Sequence, residues 1–270
     1  MVKKLIHISD IHFRTYKRHD EYKEIIKDFI IEAKEIAKEF KYDEVRIVVV
    51  GDIVHQKITI SNELTDILTW FFTELVNIAP IILIAGNHDL LEENKDRMDS
   101  LTPIINLINN PNIHYFKETK CYEDDNVMWA VYSIFEGNSR PNIEETREEH
   151  PDKKIIGLFH APVLGSKTSI GYEFKDSGVG VNYFDGCDMV LLGDIHLRQS
   201  FKNGETNIAY PSSLIQQDFG ESISGHGFLL WDVETGEYEE HDIQTNYGFY
   251  QFAISSLKDL DNNSEKLINK

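Results

Sequence analysis

Four short apolar runs rich in β-branched residues, 5–8, 45–50, 80–85 and 155–159, set the frame of this chain. Each has the length of a strand rather than a helix, and each stops at polar residues. Between the first two, Ile25, Ile26, Phe29, Ile30, Ala33, Ile36, Ala37 and Phe40 recur at helical spacing with Lys and Glu between them, the stripe of an amphipathic helix. Between the next two, Leu64, Ile67, Leu68, Phe71, Phe72 and Leu75 repeat the pattern. Strand–helix–strand–helix–strand predicts crossover units and a largely parallel core sheet. The later half changes character: 127–133, 189–192, 207–210, 227–233 and 238–241 read as short strands with Gly- or Asn-bearing turns. A second sheet stacked on the first accommodates them. The expected class is α/β, two sheets with helices outside, and 270 residues with 41% hydrophobic content suffice for one large core.

Charge and cysteine content narrow the setting. With 27 basic against 46 acidic side chains the net charge is −19, which disfavours a module that coats nucleic acid through excess Lys and Arg. It does not exclude a nuclease whose bound divalent metals offset charge locally. Cys121 and Cys187 are too few for a disulfide framework or a Cys-rich zinc site and read as reduced thiols. Asp10 arrives too early for a signal peptide, and no apolar run approaches the roughly 18 residues of a membrane helix. The expectation is a soluble, cytoplasmic protein with no membrane partner.

The informative residues follow the strands. The first run leads into Asp10-Ile11-His12, the second into Gly51-Asp52-Ile53-Val54-His55 and the third into Gly86-Asn87-His88-Asp89. The fourth ends at His160, and 189–192 leads into Gly193-Asp194-Ile195-His196. Any one of these is a common loop: Asp caps helices, Gly and Asn tolerate positive φ, and a lone histidine is usually packed. Packing, however, demands no acid, amide and imidazole at five strand ends. In an α/β sheet those ends share one rim, where ligands bind. Oxygen and imidazole donors gathered there suit divalent transition metals. Asp52, central in chain order, is the natural bridging carboxylate. Two cations about 3.5–4 Å apart acidify a water and stabilise charge on an attacked phosphorus.

Together these motifs resemble the signature of the calcineurin-like metallophosphoesterases, and within that superfamily the SbcD-type double-strand-break nucleases, including phage and viral versions. The resemblance runs from about residue 1 to 241, and the stretch 210–221 (Tyr-Pro-Ser-Ser-Leu-Ile-Gln-Gln-Asp-Phe-Gly-Glu) is similar to one beyond the family's last metal motif. It implies a four-layer α/β/β/α sandwich over 1–246, with 247–270, whose 247–254 reads as one more strand, as the start of a truncated DNA-capping domain. It implies two divalent metal ions, manganese first and magnesium as the alternative. Asp10, His12 and His196 would hold the first metal, Asp52 would bridge, and Asn87, His160 and Asp194 would complete the second. His88 matches the catalytic histidine that contacts the scissile phosphate and helps the leaving oxygen depart. His55 is grouped with it as the subfamily marker: resembling protein phosphatases carry Asp there, followed by Arg, whereas this chain has His55-Gln56-Lys57. Asp194 departs from the family's histidine, and a harder second site would favour manganese or magnesium over zinc.

The implied activity is a 3′-to-5′ DNA exonuclease with structure-specific endonuclease activity as an extension, in end processing, repair or recombination. The implied partners are DNA, an SbcC-like coiled-coil ATPase and a second copy of the chain, packed through the helix near Trp70 and the region 97–108. A phosphomonoesterase or cyclic-nucleotide phosphodiesterase on the same scaffold is the enzymatic alternative, and a non-cutting scaffold for DNA and ATPase is the other. Arg14, Lys17, Arg18 and His19 form a basic patch after the first motif, with phosphate positioning as its expected role and solvated loop charge as the alternative. Trp70, off the helical stripe, is either an interface aromatic or part of a wide buried face. His7, His114, His150, His226 and His241 fit no cluster and read as ordinary histidines.

Overall fold

The computed structural model describes residues 1–249 and Ser255. In chain order the first half contains β1 (Lys4–Ile8), α1 (His19–Ala37), β2 (Val45–Val50), α2 (Asn62–Val76), β3 (Ile81–Ile84), α3 (Leu101–Ile108) and β4 (Ile113–Tyr115). Then come β5 (Cys121–Asp124), β6 (Val127–Tyr132), α4 (Ile143–Glu149), β7 (Lys154–His160), β8 (Met189–Gly193), β9 (Gln199–Asn203), β10 (Thr206–Tyr210), β11 (Gly227–Asp232) and β12 (Tyr238–Asp242). Two six-stranded sheets result, ordered β12-β11-β1-β2-β3-β4 and β5-β6-β7-β8-β10-β9. β1 to β4 are parallel neighbours joined by helical crossovers, as the alternation of patterns predicts.

One expectation needs correcting. The runs at 227–233 and 238–241 do not join the later strands: β11 pairs antiparallel with β1, Lys4 opposite Asp232, and β12 pairs with β11. Period-2 alternation specifies which side chains point up or down but not which strand lies alongside. Here both faces are buried, Phe228 and Leu230 against the helices, Leu229 and Trp231 between the sheets. The core strands divide the same way, Ile47 and Val49 toward α1 and α2, Val48 and Val50 toward the second sheet. Such strands read as continuous apolar runs because neither face meets water.

The helices follow their stripes. α1 buries Tyr22, Ile25, Ile26, Phe29, Ile30 and Ala33, and α2 begins where the Ser61 hydroxyl accepts from Leu64 N at 3.2 Å, a side-chain N-cap. Trp70 is half-buried, packed on the edge of this core. The outer layer on the second sheet is thin: α4, a 3-10 turn at Val181–Phe184, and Val163, Phe174 and Val179 from the preceding loop. His7 lies buried between the sheets with Nε2 3.0 Å from Leu192 O, and burial pushes its imidazole down to about 3. Cys121 and Cys187 are free. Among the described residues no helix is long and apolar enough to cross a membrane. Most of the expected strand at 247–254 and the rest of the piece to 270 lie outside the described residues.

Asp99 anchors α3 and yields a stability prediction. Its buried carboxylate accepts from Leu101 N, Thr102 N, Thr102 Oγ1, Tyr115 Oη and Lys117 Nζ at 2.6–3.0 Å. Burial raises its pKa, but the Lys117 and Thr102 hydrogen bonds outweigh that and hold the carboxyl below its ordinary value. Asp99→Ala is expected to lower stability by about 2–4 kcal/mol, read as a shift of the urea midpoint at constant slope. Because the folded pKa is depressed, this contribution is present above the unfolded value of about 3.9 and lost as pH falls through the folded one. An Asp99→Asn protein therefore shows a shallower loss of stability on acidification than the parent.

Candidate metal centre

The ends of β1, β2 and β3 from one sheet meet those of β7 and β8 from the other. Strained turns aim the side chains inward: Asp10 (φ 54°), His12 (φ 53°), Asp52 (φ 53°) and Asp194 (φ 96°) all lie in left-handed backbone. L-residues hold such conformations only when the surroundings over-determine them. Here Asp10 N donates to Gly51 O at 3.1 Å and His12 N to Asp52 O at 3.0 Å. Gly51 leaves room for an imidazole, since a Cβ there would stand 2.4 Å from His160 Nδ1, and one at Gly86 would stand 2.2 Å from Asp52 Oδ1.

Every residue expected to ligate metal reaches this point. His12 Nε2 and His196 Nε2 approach to 3.1 Å, and His12 Nε2 lies 3.4 Å from Asp52 Oδ2. His160 Nε2 is 3.3 Å from Asp52 Oδ1 and 3.9 Å from Asp194 Oδ1, and His196 Nε2 is 3.8 Å from Asp10 Oδ1. The donor atoms of Asp10, His12 and His196 lie within 4.8 Å of one another, as do those of Asp10, Asp52 and His160. The Asn87 carboxamide faces both Asp52 oxygens at 3.2 and 3.3 Å. With its nitrogen inward it donates to them; with its oxygen inward it is free for a cation. Imidazole lone pairs and carboxylates facing one another across 3–4 Å fit divalent metal ions at two adjacent positions sharing Asp52.

The electrostatics follow from burial and mixed charge. Burial raises Asp52, yet the facing His160 and His12 outweigh it and hold the carboxyl well below the carboxylate range. Asp10 is raised by burial to about 6, against the pull of His160 and His196. Burial disfavours charge on His196, but the Glu221 hydrogen bond and the Asp10 carboxylate prevail and raise it to about 9. Burial lowers His55 to about 4, helped by the Arg14 guanidinium.

An outer set of groups orients the inner one. His160 Nδ1 is 2.7 Å from Val50 O and His88 Nδ1 is 2.7 Å from His55 O, which fixes each Nδ1 as the donor and leaves Nε2 facing the centre. The main-chain N–H of His88 donates to Asp52 Oδ1 at 2.8 Å, and Asp194 N donates to both Asp10 oxygens at 3.1 Å. His55 stacks on His88 with ring centroids 5.4 Å apart, so this pair sits beside the ligands with His12 edge-on at 4.8 Å from His88.

Two positioning residues escape the sequence motifs as read above. Asp89, fully buried, accepts from Ile53 N, Val54 N and Gly86 N at 2.8–3.0 Å, tying the loop after β2 to the loop after β3. Burial, reinforced by the Asp52 charge, raises its carboxyl to about 8. Glu221 Oε1 accepts from His196 Nδ1 at 2.6 Å while its Oε2 accepts from Gln217 N at 2.8 Å. The visible signals were the fourth residue of Gly86-Asn87-His88-Asp89 and the last residue of the 210–221 stretch. Glu221→Ala frees the His196 ring and is expected to weaken metal binding by about 10–100-fold, read by calorimetric titration of the metal-stripped protein. Unchanged affinity would remove Glu221 from this role.

The basic patch divides. Arg14 lies beside His55 with its Nε buried and unpartnered among the described residues. Lys17 is exposed. Arg18 is committed to Glu21 and, at 2.8 Å, to Gln216 O, and its guanidinium lies 4.7 Å over the Phe249 ring. His19 Nε2 is taken by Arg14 O at 2.6 Å.

Residues 3–198 match the family model described as calcineurin-like phosphoesterase. An uncharacterized protein of Acanthamoeba polyphaga mimivirus is 40% identical over 259 residues, covering 94% of this chain and 19% of that protein. The chain thus spans about a fifth of that relative's length. A protein of Invertebrate iridescent virus 6, provisionally named a phosphoesterase, is 26% identical over 240 residues, covering 87% of this chain and 79% of its own. Among solved structures, an archaeal phosphodiesterase aligns with a TM-score of 0.42 at 16% identity, over 88% of this chain and 99% of that one.

Proposed function

The chain belongs to the calcineurin-like phosphoesterase family, and from that premise we propose that it is a metal-dependent DNA nuclease, cutting phosphodiester bonds from 3′ ends. The observation that supports this most is the His55–His88 pair standing over the metal-ligand cluster. His55 occupies the place where resembling protein phosphatases carry Asp, and Gln56 stands where their Arg follows it.

When bound, the divalent ions supply Lewis acidity: they lower the pKa of water and neutralise charge developing on the phosphoryl oxygens. Asp10, His12, Asp52 and His196 would hold one ion; Asp52, Asn87, His160 and Asp194 would hold the other. His88 keeps Nδ1–H on the His55 carbonyl. In its protonated form it presents Nε2–H to the leaving oxygen, the geometry of a general acid. Arg14, beside His55 with one guanidinium nitrogen donating to Gln217 O at 3.4 Å and its Nε unpartnered among the described residues, would meet a phosphate oxygen, with Lys17 reaching the backbone further along. Arg18 is not available for that role while Glu21 and Gln216 hold it.

Linear duplex DNA labelled at its 3′ ends, incubated with manganese, tests the reading. Shortening from the 3′ end that EDTA abolishes is the expected result. Turnover of p-nitrophenyl phosphate or a cyclic nucleotide with DNA left intact would favour the small-ester alternative. Manganese belongs to the proposal through Asp194, whose oxygen makes the second position harder than histidine would. Asp194→His is expected to raise zinc affinity relative to manganese severalfold, measured by competitive titration; an unchanged ratio would refute that part. A coiled-coil ATPase and a second copy of the chain complete the proposal. Met98 and Leu107, 64% and 65% exposed at α3, are apolar surface that a homodimer through α2 and α3 would cover.

A further inference from the structure

Resting on that nucleotide-hydrolysing reading, we propose that the cavity beside Asn87, His160 and Asp194 receives the unpaired base of the nucleotide whose phosphate is cut. The cavity has a volume of about 480 Å³, and those three residues are part of its lining. A phosphate held by them therefore has one of its ester substituents against the cavity. The walls are aromatic: Tyr132, Phe159 and Tyr183 line it, with ring centroids 5.2–6.1 Å apart. Arg140 stacks 3.8 Å over Tyr183 and steadies that ring. Ser133, Asn138, Glu92 and Lys95 also line it, and the Lys95 ammonium donates to Ile134 O. Size, aromatic lining and a few polar edge groups are the attributes of a site for a small planar ligand.

Charge favours a base as the occupant. A chain of net charge −19 repels a polyanion beyond the reach of the bound cations, so the grip on the substrate must come largely from uncharged contacts. Base–aromatic stacking is such a contact, contributing about 5- to 150-fold in affinity, the equivalent of ~1–3 kcal/mol per base. A second cavity of about 370 Å³ opens on the His196 side. Both cavities are lined by Asp194 and by further carboxylates, Glu92 in the first and Asp218 and Glu221 in this one, but here Tyr172 is the one tyrosine or phenylalanine ring against three in the first. It is the poorer host for a nucleotide. A base in a duplex cannot reach into this cavity without leaving the stack. Frayed, mismatched or single-stranded 3′ termini are therefore the preferred substrates over fully paired ends.

Calorimetric titration of the manganese-loaded protein with dAMP, deoxyribose 5-phosphate and inorganic phosphate tests this. The expected result is dAMP binding at least about 5-fold tighter than deoxyribose 5-phosphate. Tyr183→Ala should erase that margin while inorganic phosphate binds as before. Tyr183→Leu, which keeps bulk and removes the ring face, should shrink it and serves if the alanine variant does not fold. Equal affinity of the parent for dAMP and deoxyribose 5-phosphate overturns the proposal, as does a margin that survives in a folded Tyr183 variant. DNA cutting without a dAMP margin sinks the base site alone. A dAMP margin without DNA cutting sinks the nuclease reading and leaves the base site standing.

Discussion

A protein carrying His88→Asn is expected to keep its metal content and lose about 10²–10⁴-fold in kcat, the usual contribution of a positioned general acid. The substitution spares the ligand set because the bond from His88 to Asp52 is made by the main-chain N–H. The shorter carboxamide can still donate toward the His55 carbonyl. What disappears is Nε2, the ring atom that the 2.7 Å bond from Nδ1 to His55 O leaves facing the centre. His55→Ala offers a contrast. His55 holds its neighbour through a main-chain oxygen that alanine also has, and its own Nδ1 is buried without a partner among the described residues. Its loss should cost less than that of His88. Single-turnover cleavage with metal analysis of each variant decides the matter. A His88→Asn protein that is fully metallated and within a few-fold of the parent would remove His88 from the chemistry.

Asp52→Asn should have the other large effect, on both metal positions together. Its oxygens lie 3.3 Å from His160 Nε2 and 3.4 Å from His12 Nε2, and both face the Asn87 amide. It therefore belongs to both halves of the centre. An amide of the same shape removes the charge that a bridging ligand shares between two cations. Bound metal should fall below two ions per chain and hydrolysis should reach background, a greater loss than the 10–100-fold typical of an outer-shell partner. Stability responds differently. Metal at 100 times its Kd stabilises the folded state by about 2.7 kcal/mol per site, and that increment should vanish from the melting curve of the variant. The metal-free variant should melt lower than the metal-free parent, because His160 and His12 hold the folded Asp52 carboxyl well below its ordinary range, so its charge stabilises the folded state despite the repulsion felt by Asp10, Asp89 and Asp194. A metal-free Asp52→Asn protein as stable as the parent would mean that the facing imidazoles do not stabilise this carboxylate.

The candidate ligand set was legible because its residues follow apolar runs short enough to be strands, and strand ends in parallel sheets are where loops carry function. Asp10, His12, Asp52, Asn87, His160, Asp194 and His196 could be named from that pattern and the family resemblance, and the structure gathers all of them. Glu221 and Asp89 were harder. Both act through hydrogen bonds to groups brought near only by folding, His196 across 25 residues and Ile53 across 36. Arg18 shows the converse: basic and next to the first motif, it suggests a phosphate ligand, yet Glu21 one helical turn away and the Gln216 carbonyl take it up. A one-dimensional pattern registers that a charge exists and cannot register that it is already neutralised.

By itself the sequence determined the types of the main elements, though not β4, β5, β9 or α4, together with the buried faces and the chemistry available at each strand end, because periodicity and side-chain chemistry are local properties. Tertiary structure alone decided that β11 and β12 join the first sheet beside β1, that the centre is assembled from two sheets rather than one rim, and that an aromatic cavity opens beside Asn87, His160 and Asp194. Strand pairing and cavities depend on which distant segments share an interface. That choice is made by the burial of apolar surface over the whole chain, which no local stretch encodes.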